Sequence, residues 1–166
     1  MAGPLNDKHV LLGVTGSIAC YKGIDLASKL VQAGALVDTI MTYGATRFVT
    51  PLAFRSITHR EVVTDTFDPN SRYTHEHVAL ARQADIVVIA PATVHTIGKL
   101  AAGLADDALT TTIVATEAPV LVAPAMDANM YDNPATQDNL AILRRRGITI
   151  VAVSYTHLTL PTNREV

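Results

Sequence analysis

The chain reads as a three-layer α/β domain built on a single parallel sheet. Short apolar runs alternate with segments of helical period, the βα rhythm of a parallel sheet. The runs at His9–Val14, Ala35–Met41, Ile86–Ala90 and Val120–Ala123 are nearly continuous in apolar residues, as strands buried on both faces are. Helical segments stop at glycines, Gly34 and Gly147.

Taken in order, His9–Val14 is a strand, and Thr15-Gly16-Ser17 turns into a helix over Ile18–Gln32. Ala35–Met41 is the second strand. Gly44–Val49 starts a helix that Pro51 interrupts. Arg60–Thr64 suits a short strand, and Asp68-Pro69-Asn70-Ser71 is a loop by its turn chemistry. A helix around His77 leads to the strand Ile86–Ala90. Helices are expected over Thr93–Ala102 and Asp107–Ala115, then the strand Val120–Ala123. Pro134–Arg146 is a helix with proline in its first turn, and Ile148–Val153 is the last strand. Residues 1–153 make one domain without repeat or linker. Ser154–Val166 breaks the pattern and reads as a non-native or disordered tail.

Composition narrows the function classes. Of 166 residues, 49% are hydrophobic and 17% charged, the balance of a globular protein. Net charge is −2, and the one basic run, Arg144-Arg145-Arg146, suits a solvated helix end, so no nucleic-acid partner is expected. No apolar stretch is long enough to span a bilayer, and no membrane partner is expected. The single cysteine, Cys20, excludes an internal disulfide and suits a reducing compartment, so a cytoplasmic location is expected. Cys20 itself reads as a small buried apolar residue.

The chemistry-bearing residues lie where strands end, which in an open parallel sheet is where ligands sit. Gly13-Val14-Thr15-Gly16-Ser17 lacks both the G-x-G-x-x-G spacing and the phosphate-loop lysine. It still places Gly16 and Ser17 at a helix N-terminus, a suitable seat for one phosphate; the bland reading is a tight turn with Ser17 as N-cap. Met41-Thr42-Tyr43 carries no acid for an adenine ribose, which argues against a nicotinamide dinucleotide and offers Thr42 as a hydroxyl contact. Pro91, Ala92 and Thr93 close the next strand; capping by Thr93 is the structural alternative, and His95 reads as a solvated residue. After the fourth long strand come Met126, Asp127, Asn129 and Met130. The methionines suit a flat ring or equally a core, and Asp127 suits an N-cap.

These motifs occur together and in order: Gly16-Ser17-Ile18-Ala19, Met41-Thr42, His77-Val78-Ala79-Leu80, Ala90-Pro91-Ala92-Thr93, and Pro124-Ala125-Met126 through Met130. Over roughly residues 7–153 the chain resembles the homo-oligomeric flavin-containing cysteine decarboxylases. The resemblance implies a three-layer Rossmann-like flavoprotein with FMN bound between the subunits of a homotrimer or a dodecamer. It implies Gly16, Ser17, Thr42, Pro91, Ala92, Thr93, Asp107, Thr111 and Met126 as cofactor contacts, and Asp127, Asn129 and Met130 as substrate contacts. His77 would be the active-site histidine, with His75 its competitor two residues earlier. The implied substrate is a small-molecule thiol, phosphopantothenoylcysteine, decarboxylated to phosphopantetheine.

That chemistry explains a flavin in a reaction with no net redox change. A cysteine carboxylate that loses CO₂ directly leaves a carbanion with no electron sink; withdrawing a hydride beside sulfur first makes a thioaldehyde that accepts the charge as an enethiolate. A histidine suits the thiol proton because its pKa lies near neutrality. The chain departs from the family at Asp127, where the signature residue is Asn: an amide donates to a carboxylate, and an ionised Asp repels one. The family also carries a cysteine on a segment beyond its last strand; residues 154–166 hold none, so release of an oxidised enethiol is expected to accompany turnover. Other readings are a related flavoprotein acting on a peptide C-terminal cysteine, a flavin prenyltransferase, and a non-catalytic FMN-binding regulator.

Overall fold

A computed structural model describes residues 3–66 and 76–151, with the backbone alone at 76 and 77. Six parallel strands form one sheet: β1 (His9–Val14), β2 (Leu36–Met41), β3 (Val62–Val63), β4 (Ile86–Ala92), β5 (Val120–Pro124) and β6 (Thr149–Ile150). Their order is β3-β2-β1-β4-β5-β6. The chain moves outward in one direction through β3, returns to the centre, and continues the other way from β4. The reversal between β1 and β4 is the topological switch point, where such sheets open a crevice.

The eight helices of the described residues are α1 (Cys20–Gln32), α2 (Tyr43–Thr46), α3 (Pro51–Thr58), α4 (Glu76–Gln83), α5 (Val94–Ala102), α6 (Ala108–Ala115), α7 (Ala128–Asp132) and α8 (Pro134–Arg145). Side chains alternate across each strand, which splits the core in two. Val10, Leu12, Val14, Val37 and Met41 pack with Cys20 and Ala27 of α1 and Phe54 of α3. On the opposite face Leu11, Ile40, Val87, Ile89 and Val122 pack with Ile97, Leu109, Leu140 and Leu143 of α5, α6 and α8. Cys20 is 1% exposed and its thiol donates to the Thr15 carbonyl, 3.1 Å away, so it serves as a buried small residue.

Several elements differ from the sequence reading. The first helix begins at Cys20 rather than Ile18. Ser17, Ile18 and Ala19 form a turn, the Ser17 hydroxyl accepts from Ala19 N, and Ala19 is the N-cap, so Ser17 does not cap α1. Pro51 does not break a helix that starts at Gly44; it opens one. α2 is a single turn capped by Thr42, and Pro51 occupies the first position of α3, where a fixed φ and a missing N–H cost nothing. β4 runs on through Pro91 and Ala92, and β6 is Thr149–Ile150, with residues 152 and 153 of the expected strand outside the described residues. α7 had no counterpart among the helices expected from the sequence. The loop read at Asp68–Ser71 and the tail at Ser154–Val166 lie outside the described residues.

Candidate functional site at the carboxyl edge of the sheet

The carboxyl ends of β2, β1, β4 and β5 are joined edge to edge by a run of short-range contacts. Gly16 lies against Gly44: a Cβ on Gly16 would sit 2.8 Å from the Gly44 carbonyl carbon. Only glycine allows the β1–α1 turn to approach the Thr42–Gly44 backbone that closely. Thr15 then bridges the switch point. It is fully buried; its hydroxyl donates to the Pro91 carbonyl at 2.7 Å and accepts from Thr93 N at 2.9 Å, and its own N–H reaches the same carbonyl at 3.2 Å. Ala92 continues the row, its carbonyl accepting from Ala125 N at 2.9 Å. Gly16, Thr42, Pro91, Ala92, Thr93 and Met126 therefore line up along one edge.

The expected cofactor residues have different local duties. Thr42 caps α2, its hydroxyl oxygen accepting from Ala45 N at 3.3 Å, and Thr93 caps α5 in the same way through Thr96 N. The Gly16 and Ile18 N–H groups find no acceptor among the described residues. Two such donors at the start of α1 suit an anion. Asp107 caps α6 in a reciprocal box: its Oδ1 accepts from Thr110 N at 2.8 Å, and the Thr110 hydroxyl lies 3.3 Å from Asp107 N. Burial pushes the Asp107 carboxyl up, but the Thr110 N–H and Lys99 outweigh it and hold it below the usual carboxylate range. Thr111 donates its hydroxyl to the Ala105 carbonyl at 3.3 Å, tying down the turn before α6.

A cavity of about 140 Å³ opens beside this edge, lined by Met41, Thr42 and Tyr43 and by Asp106, Asp107 and Leu109. It brings Thr42 and Asp107 together. α6 reaches it because Gly13 has no side chain: a Cβ there would meet Leu109 Cδ1 at 2.6 Å.

The residues after β5 form a second cluster. Met126 is 8% exposed and belongs to the core, whereas Met130 is 45% exposed on α7. The two are not neighbours on one helix, because Asp127 is the N-cap of α7 and Met126 precedes it. Asp127 accepts from Asn129 N at 2.8 Å; Asp127 and Asn129 are both exposed. His95 is exposed on α5, and Arg144, Arg145 and Arg146 are exposed at the end of α8. His77 is the second residue of α4; its side chain, and all of His75, lie outside the described residues. Because α4 runs back before feeding β4, its N-terminal end is at the same carboxyl edge.

Sequence reasoning missed three contributors: Thr15, Gly44 and Lys99. Thr15 had a visible signal, as a hydroxyl between two glycines in a βα turn.

Residues 2–164 match a family model described as Flavoprotein. The chain belongs to the flavoprotein family. It is 49% identical over 154 residues to the coenzyme A biosynthesis bifunctional protein CoaBC of Bacillus subtilis strain 168, covering 93% of this chain and 38% of that protein. The chain thus spans well under half the length of that relative. Among solved structures it is similar to SpaF, described as an FMN-dependent cysteine decarboxylase. The TM-score is 0.83 at 36% identity, over 89% of this chain and 85% of that one. It is likewise similar to a cysteine-to-serine mutant of PPC decarboxylase complexed with pantothenoylaminoethenethiol. Here the TM-score is 0.77 at 34% identity, over 88% and 82% of the two chains.

Proposed function

We propose that this flavoprotein binds FMN and decarboxylates 4'-phosphopantothenoylcysteine to 4'-phosphopantetheine, a carboxy-lyase step of coenzyme A biosynthesis in the cytoplasm. The observation that carries this reading is the joined carboxyl edge at the switch point, in a chain 49% identical to a coenzyme A biosynthesis protein.

The residues present fit FMN. The unpartnered N–H groups of Gly16 and Ile18, with the Ser17 and Thr42 hydroxyls beside them, suit its phosphate. Pro91, Ala92 and Thr93, fixed by Thr15, offer a rigid backbone for the ring, with Asp107, Thr111 and Met126 on the flanking segments. When bound, FMN supplies the reversible hydride acceptance that makes loss of CO₂ feasible. The 140 Å³ cavity of one chain is smaller than the roughly 300–1,000 Å³ of complete ligand sites. A second copy completes the site in this reading, in a homotrimer or a dodecamer. Ile18, Tyr21, Tyr43, Phe48 and Leu52 are exposed large apolar residues on α1, α2, α3 and their connecting turns, and they supply the covering surface.

His77, at the start of α4, takes and returns the thiol proton. Asn129 and Met130 meet the substrate around its carboxylate. Asp127 sets the N-terminus of α7 and holds these two in place; its carboxylate opposes that of the substrate, so the Asn129 amide and the helix N–H groups provide the attraction. Residues 1–153 carry all these parts. Purified protein incubated with FMN and phosphopantothenoylcysteine tests the reading: a product lighter by one CO₂ supports it, and unchanged substrate with FMN bound overturns it.

A further inference from the structure

Lys99 is a residue that no reading of the sequence singled out. It sits on α5, two turns after the Thr93 cap, and its side chain is 15% exposed. Its ammonium lies 2.8 Å from Asp106 Oδ1 and 2.9 Å from Asp107 Oδ2. Both aspartates line the cavity beside Thr42. The oxygens of Asp107 divide their duties: Oδ1 caps α6 through Thr110, and Oδ2 faces Lys99.

From this geometry we infer that Lys99 is a positioning residue for the FMN site, acting through Asp106 and Asp107. The inference rests on the FMN reading of the cavity. Lys99 neutralises two adjacent carboxylates on the wall that faces Thr42, and FMN carries a dianionic phosphate. Without the ammonium, two unscreened negative charges stand at the cavity mouth, and α6 loses the brace that fixes its cap to α5. The brace continues to the switch point, because α5 begins at Thr93, whose N–H is held by Thr15. The ammonium holds its proton more firmly than usual, chiefly through the hydrogen bond to Asp106, against the opposing effect of burial.

The test is FMN affinity, read by quenching of flavin fluorescence, for the full chain and three variants. Lys99→Met is expected to weaken FMN binding on the order of tenfold, as loss of one charge-assisted contact at a partly buried site does. Lys99→Arg keeps the charge and is expected to bind within about threefold of the parent. Adding Asp106→Asn to Lys99→Met removes one of the stranded charges and is expected to recover part of the loss, which a purely structural role of Lys99 would not produce. Thermal unfolding of each variant confirms that the fold survives. If the parent binds FMN and Lys99→Met binds it equally well, or the double variant recovers nothing, the role of Lys99 is wrong and the FMN reading stands. If the parent binds no FMN, the FMN reading fails and this inference with it.

Discussion

Thr15 shows most clearly how one side chain organises the site. Its hydroxyl is fully buried and satisfies the Pro91 carbonyl of β4 and the N–H of Thr93, the α5 cap, at once. Replacing it with Val keeps the shape but strands the Thr93 N–H and leaves the Pro91 carbonyl only the backbone N–H of residue 15, so Thr15→Val is expected to cost about 2 kcal/mol of stability, measured by urea denaturation. Asp127 is the other residue whose substitution is informative. Asn caps a helix as well as Asp does and adds an amide donor. Asp127→Asn is therefore expected to keep or raise turnover of phosphopantothenoylcysteine with stability unchanged; a collapse of turnover would contradict the charge-repulsion argument. Neither residue was equally legible beforehand. Asp127 stood out against the family pattern, and its capping role was among the readings of the sequence. Thr15 stood visibly between glycines in a βα turn, but its bridging role was hidden because its partners lie 76 and 78 positions away, and no local pattern reports a contact across the switch point.

At the scale of elements, α6 carries an electrostatic signature at its N-terminus. The Asp107 carboxyl is held below its usual range in the folded protein. Its ionised form therefore stabilises the fold above the unfolded value near 3.9, and that contribution is lost as pH falls through the folded value. Asp107→Asn should flatten the acid side of the stability profile, below the unfolded carboxylate value near 3.9, followed by denaturation at each pH. The long strands and the amphipathic helices were legible from period and composition. The stretch from Thr42 to Thr58 was not: Thr42 and Pro51 both start helices, and a proline read as an interruption is equally at home at a first helical position. The last expected strand holds the Thr149–Ile150 pairing with β5, and its residues 152 and 153 lie outside the described residues.

Across the whole molecule, the fold leaves large apolar side chains uncovered close to the site. Ile18 is 72% exposed, Tyr43 76% and Leu52 66%, and the turn and helices that bear them flank the Gly16–Gly44 contact. A charge in such a surface opposes association. Leu52→Asp is expected to shift the protein to monomer in sedimentation and to weaken FMN binding at least tenfold, because in the proposed arrangement a second copy completes the site; an unchanged oligomer with unchanged FMN affinity would contradict this arrangement. The fold class was readable because the long strands and most of their crossovers leave a periodic trace. The site was readable only as a set of strand ends, since which ends meet depends on strand order, and strand order is a property of the folded sheet.

The central claim is tested most directly by mass spectrometry of phosphopantothenoylcysteine incubated with purified protein and FMN, without added reductant. The account predicts a product that has lost one CO₂ and kept its other atoms, or the same product short of two hydrogens. Substrate recovered intact from protein carrying bound FMN would contradict it.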